Sequence, residues 1–91
     1  MKDITLESLT KVFRKVLKQP DIILTPSTTA ADLERWDSLH NMIIMNQLEK
    51  EFSIKIEMGE VINLKNVGEI GELIETKIAL IIPSLQKLET D

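Results

Sequence analysis

Hydrophobic positions recur with helical spacing along most of the chain. Leu9, Val12, Phe13, Val16 and Leu17 fall at i, i+3, i+4, i+7 and i+8, one face of a helix that the pattern places over residues 5–18. Thr5 is the expected N-cap, with Glu7 in the first turn. Lys15 and Lys18 suit the negative end of the helix dipole, and Pro20 stops the helix. A second helix is expected over 38–52, with Ile44, Met45, Leu48 and Phe52 on a core-facing stripe that starts at Asn41. The last long helix is expected over 67–82. Val67, Ile70, Leu73, Ile74, Ile78 and Ile81 form its stripe. Asn66 is its N-cap, with Glu69 three residues on, close to a capping box, and Pro83 ends it. Gly71 inside it costs about 1 kcal/mol against alanine, unless it permits close packing.

The segments between these helices read differently. Residues 19–37 form a long polar connection with Pro20, Pro26 and Ser27-Thr28-Thr29. Ile22, Ile23 and Leu24 must pack somewhere, and Leu33 and Trp36 are expected to pin the far end. Ala30 to Leu33 can alternatively form one helical turn. A connection this long is uncommon in a compact domain, and such loops are often functional. Ser53 to Glu57 alternates polar and apolar, but no second strand exists to pair with it, so an extended connector is expected. Met58 to Asn63 can form a short helix with Val61 and Ile62 facing inward, weakened by Gly59. The expected fold is all-α: a four-helix bundle of three long helices and one short helix with a long first loop. It is a single domain over 1–91, with a core of about 4–82 and a loosely held tail, 83–91.

Composition narrows the chemistry. The aromatic residues are Phe13, Trp36 and Phe52, so the core must be mostly aliphatic. There is no cysteine, so any reactive thiol would have to arrive on a cofactor, and a single histidine rules out a multi-histidine metal site. The net charge of −4 argues against a nucleic-acid role, which needs a basic surface. Charge is also uneven. Residues 1–20 hold five bases and two acids, whereas residues 32–60 hold three bases and seven acids. The acidic half would suit a basic partner, although a soluble surface is charged in any case. Met1-Lys2-Asp3-Ile4 lacks the apolar run of a signal peptide. The longest apolar run, Ile78 to Ile82, is far too short to insert in a membrane. A cytoplasmic location is expected.

The candidate chemistry lies where the long loop meets the second helix, at Glu34-Arg35-Trp36-Asp37-Ser38-Leu39-His40. A catalytic serine needs an adjacent base, but His40 stands two residues from Ser38, and such residues do not face each other on a helix. No Gly-x-Ser-x-Gly elbow is present. Asp32, Glu34 and Asp37 make a weak metal set, since acids near a helix start are expected for capping. Either Asp37 or Ser38 can be that cap. Ser38 can also be a modification site, because a phosphodiester there would be an anion at a helix N-terminus. Leu39, Met42 and Ile43, ending at Asn46, form a second apolar stripe rotated from the core-facing one. It either meets a partner or extends the core under the long loop.

Asp37-Ser38-Leu39, opening a helix that runs to Leu48-Glu49-Lys50-Glu51-Phe52, resembles the acyl carrier protein family. The first amphipathic helix, Asp32-Leu33 before the motif, Phe52-Ser53-Ile54-Lys55-Ile56 after it and Asn66-Val67 opening the last helix fall in the family's order. The resemblance covers about residues 4–80. It implies a bundle of the acyl-carrier type that is a carrier and not an enzyme. It also implies 4′-phosphopantetheine, moved from coenzyme A to Ser38 by a phosphopantetheinyl transferase that Asp37 helps to orient. The arm's thiol would hold acyl or aminoacyl groups as thioesters for loading and accepting enzymes. Leu39, Met42, Ile43, Asn46 and Glu49 would meet those partners, with the chain a monomer. Family members of fatty acid synthesis usually carry acids just after the motif. Here His40, Asn41, Ile43 and Lys50 occupy the second helix, with Glu49 and Glu51 near its end, so docking is expected to be more apolar. Trp36 directly before the motif is similar to stand-alone carriers of specialised pathways, such as polyketide, aminoacyl or surface-glycan modification systems. The alternative is an unmodified helical interaction module that uses the apolar patch alone.

Overall fold

The computed structural model describes residues 1–90, with side chains through Leu80. It is all-helical: α1 (Asp3–Leu17), a 3-10 turn (Ala30–Asp32), α2 (Ser38–Phe52), α3 (Met58–Val61) and α4 (Val67–Thr90). The expected four-helix architecture is therefore observed, and α2 has the bounds its pattern implied. α1 packs against both α2 and α4. Leu9, Phe13 and Leu17 of α1 meet Ile44 and Leu48 of α2 and Val67, Ile70 and Ile74 of α4 in one buried cluster.

α1 begins earlier than its local signals suggest. Thr5 is not its cap; Lys2 is, and no side chain of the first turn caps it. The capping acceptor comes from α4, where Glu75 Oε2 takes the Lys2 backbone N–H at 2.6 Å. That N–H, then the Thr5 hydroxyl and the nearby N-terminal ammonium, hold the Glu75 carboxyl below the usual carboxylate range. Thr5 is buried inside the helix instead. The other end turns left-handed at Lys18, with φ 55°, two residues before Pro20, which disfavours helical geometry at Gln19.

The long first loop is ordered by its own backbone groups. Being extended, it alternates sides: Ile22 and Leu24 are buried, whereas Ile23 is 78% exposed and does not pack as expected. Arg14 Nε donates to the Ile22 carbonyl at 2.8 Å, and Arg35 Nη1 donates to the Leu17 carbonyl at 3.1 Å. Buried Thr28 accepts the Thr25 N–H on its hydroxyl at 2.9 Å. The Pro26 and Thr28 carbonyls then receive the Gly68 and Val67 N–H groups at 2.8 and 2.9 Å, so the loop caps α4. The Asn66 side chain, as expected, accepts the Glu69 N–H at 2.9 Å. Glu69 reaches back one residue further than a capping box requires, to the Lys65 N–H at 2.6 Å.

α3 is a single turn held by side-chain ties. Glu49 of α2 accepts the Ile56 N–H at 2.9 Å, and Glu60 pairs with Lys77 of α4 at 2.9 Å. Ser53 is the left-handed cap of α2, with φ 54°, and residues 54–57 form the expected connector. Val61 reaches the core, but Ile62 is 75% exposed, because one turn points few side chains inward and Leu64 fills the next place. α4 continues through Pro83 instead of ending there. Proline removes a single backbone donor, and Leu85, Gln86, Lys87 and Glu89 beyond it are strong helix formers. The helix thus takes in most of the expected tail. Ile81 lies outside the described side chains, and Asp91 lies outside the described residues.

Two glycines of α4 make close approaches of different kinds. A Cβ on Gly68 would lie 2.8 Å from the Pro26 carbonyl oxygen, whereas the atoms nearest one on Gly71 belong to the Met1 side chain. Gly68→Ala should therefore destabilise the fold by about 1–3 kcal/mol, since backbone must move to admit the methyl. Gly71→Ala should cost less, because a flexible side chain can yield and alanine is the better helix former. Urea unfolding of the two variants compares them directly; equal losses would contradict this reading.

Candidate functional site

Asp37, not Ser38, caps α2. Its backbone is extended, its Oδ1 accepts the His40 N–H at 2.8 Å, and its carbonyl accepts the Asn41 N–H at 2.8 Å. The His40 ring Nδ1 lies 2.7 Å from the same Oδ1. The backbone hydrogen bond first, and the ring contact second, hold the exposed Asp37 carboxyl below its ordinary range. His40 is thus turned to Asp37 and offers Ser38 no base. Among the described residues, no group of acids and histidine could hold a metal ion.

Ser38 is the first residue of α2 and is exposed. Its hydroxyl has no hydrogen-bond partner among the described residues. Its position is set by Trp36, which is buried against Phe13 edge-to-face, with ring centroids 4.9 Å apart at 86°. The Trp36 ring Nε1–H donates to Asn41 Oδ1 at 2.8 Å, one turn into α2. Trp36 and Asp37 also donate their N–H groups to the Leu33 and Arg35 carbonyls at 3.1 Å. The chain therefore enters the helix as a tight turn hung from a buried ring.

The second apolar stripe is a surface. Leu39, Met42 and Ile43 are 64, 53 and 43% exposed, and Asn46 continues the same face. Glu49 differs from them: it is half-buried, and its carboxylate is engaged with the Ile56 N–H. On the other side of Ser38 lies a cleft of about 270 Å³, lined by Ala30, Trp36, Asp37, Asn41, Leu64 and Lys65. Leu64 and Lys65 carry no signal in the sequence for this place, since they come from the α3–α4 connection. Asn41 reads as a core position, and only the structure reveals it as the partner of Trp36.

The site suits a covalent phosphodiester. The Ser38 and Leu39 amides precede the first intrahelical acceptor, so they face the helix entrance with the positive end of the dipole. No acidic side chain occupies the first turn of α2. An anion joined to the exposed hydroxyl would meet these donors, with the Asp37 carboxylate, which already takes the His40 N–H, as its one charged neighbour at the helix start.

Comparison with known proteins identifies the family. Residues 7–74 match the family described as the phosphopantetheine attachment site. The fold is similar to the solution NMR structure of a holo acyl carrier protein from Geobacter metallireducens, at 40% identity and a TM-score of 0.81, covering 87% of this chain and 91% of that one. No curated protein matches the chain. The chain belongs to the phosphopantetheine attachment-site family. It is an acyl carrier protein with a covalently attached phosphopantetheine, a carrier and not an enzyme.

Two measurements probe the junction. In an NMR titration, the Asp37 carboxyl should titrate below its ordinary value of 3.8. A depressed folded-state pKa contributes stability that is present above the unfolded value and lost as pH falls through the folded one. The advantage of wild type over Asp37→Asn should accordingly shrink below a pH of about 4. Trp36→Phe keeps a ring against Phe13 but removes the N–H donor from Asn41. It should cost about 1 kcal/mol in urea unfolding. A midpoint at or above the ordinary value, or a neutral Trp36→Phe, would contradict the respective contact.

Proposed function

We propose that Ser38 is the residue that carries phosphopantetheine. The observation that carries this reading is the Ser38 hydroxyl itself: exposed, without an internal hydrogen bond, and at the first position of α2. It lies within the stretch matched to the attachment-site family. When bound, the group supplies a thiol that holds an acyl or aminoacyl cargo as a thioester, chemistry a chain without cysteine cannot provide. The protein's own residues present and orient it. Trp36 and Asn41 hold the start of α2 in place, and Asp37 caps it. Asp37 also stands beside the serine as the residue a phosphopantetheinyl transferase reads.

Leu39, Met42 and Ile43, with Asn46, are the surface that meets the loading and accepting enzymes. Their exposure beside Ser38 supports this, as does the absence of acids from the first turn. Glu49 contributes at the edge, restrained by its bond to Ile56. Partners should read apolar shape there more than charge, which favours a specialised biosynthetic pathway over general fatty acid synthesis. The carrier acts as one domain over 1–91, as a monomer in the cytoplasm. Among the described residues, no helix is long and apolar enough to cross a membrane.

Incubation with coenzyme A and a broad-specificity transferase should add one phosphopantetheinyl group to the intact mass, and Ser38→Ala should gain nothing. An equal gain in the variant would move the attachment point elsewhere. Ile43→Glu should still accept the arm while losing at least tenfold in thioester transfer to an accepting enzyme; unchanged transfer would remove this face from the docking surface.

A further inference from the structure

Ser38 stands at the rim of a cleft with two distinct linings. Trp36 and Leu64 contribute apolar surface, and Lys65 contributes a cation. The ion pairs among the described residues join His40 to Asp37, Lys55 to Glu57 and Lys77 to Glu60, so the Lys65 ammonium is in none of them. Its backbone is nonetheless held, because the Lys65 N–H donates to Glu69 Oε2 at 2.6 Å. The tether fixes where the Lys65 side chain leaves the backbone, at the edge of the cleft, while its exposed stem stays free to reach across it. The other charged side chain in the cleft is Asp37. A phosphodiester on Ser38 would be repelled by the Asp37 carboxylate and attracted by the Lys65 ammonium across the cleft.

The helix geometry separates this cleft from the docking face. At about 100° per residue, Asn41 falls on one side of Ser38, and Leu39, Met42, Ile43 and Asn46 fall on the other. We infer that the phosphopantetheine arm beds in the cleft between the first loop and the α3–α4 connection. The Lys65 ammonium is then the counter-charge of the phosphodiester, and Leu64 and the Trp36 edge lie against the branched apolar part beside it. Lys65 is a positioning residue, and the arm at rest leaves the Leu39-Met42-Ile43 face clear. This rests on Ser38 being the attachment point.

The test uses isotope-labelled apo and holo protein, with loading checked by intact mass. Loading should move the amide signals of Leu64 and Lys65 and the Trp36 ring N–H by more than those of Met42, Ile43 and Asn46. The phosphorus resonance of folded holo protein should be displaced from that of the same sample unfolded in urea. Lys65→Gln should at least halve that displacement, and Lys65→Arg should retain it, with unchanged circular dichroism in both. Loaded wild-type protein whose Leu64, Lys65 and Trp36 signals stay still overturns the bedding of the arm. A displacement unaltered in Lys65→Gln overturns the role of the cation. Failure of wild type to gain mass overturns the attachment reading, and this inference with it. The amide comparison is made on wild type, so it holds whatever the variants do.

Discussion

The placement of Ser38 depends on one buried ring. Trp36 sits between the Phe13 face of α1 and the first turn of α2, apolar on its body and hydrogen-bonded at its edge to Asn41. An indole can serve both needs because it buries a large apolar area yet keeps one donor that must find an acceptor. A smaller aliphatic residue would fill part of the space but leave the Asn41 side chain without this partner. The serine two residues on then has no part in holding the fold. Its hydroxyl is free because neighbours perform the structural work: Asp37 caps, Trp36 anchors and Asn41 receives.

The same division of labour explains how so long a loop can be ordered. Backbone groups leaving α1 and entering α4 need partners, and the loop supplies them in both directions. Arg14 of α1 satisfies the loop's Ile22 carbonyl, Arg35 of the loop satisfies the Leu17 carbonyl of α1, and the loop's Pro26 and Thr28 carbonyls satisfy the first amides of α4. The approach to α4 is close enough that Gly68 is the residue that fits. α3 is tied in the same manner, with Glu49 and Glu60 each reaching from one element to another. Carboxylates that look like free surface charge in the sequence here fasten one segment of the fold to another.

That distinction marks where the sequence could be read. Periodicity gave the bounds of α2, the Asn66 cap and the outward stripe of Leu39, Met42 and Ile43, because each depends on residues a turn apart. The start of α2 at Asp37-Ser38 was legible because a cap stands directly before the periodic stretch. What could not be read depends on contacts distant along the chain. The cap of α1 comes from Glu75, so Thr5 was a local signal with no local consequence. Ile23 and Ile62 are apolar but face outward, one because an extended chain alternates and the other because α3 is a single turn. Pro83 reads as a stop, yet it interrupts a run of helix formers and removes only one donor. Leu64 and Lys65 reach the site through the fold of the last connection, which no pattern near Ser38 encodes.

A carrier must be recognised and then released, and the docking face proposed beside Ser38 would suit that demand. Three partly exposed aliphatic side chains offer a patch whose burial contributes a few kcal/mol at about 25 cal/mol per Å². Association costs several kcal/mol in lost freedom, so such a patch alone supports brief encounters. Clustered acids would instead speed encounters through long-range attraction, an effect that salt screens within about 10 Å at 0.1 M. The first turn of α2 carries no acid, and Glu49 further along is bound to Ile56. On the docking reading proposed above, discrimination between partners falls to the fit of Leu39, Met42 and Ile43 against a complementary surface. An apolar patch without neighbouring acids gains little from long-range attraction, so any contact made there is decided by shape.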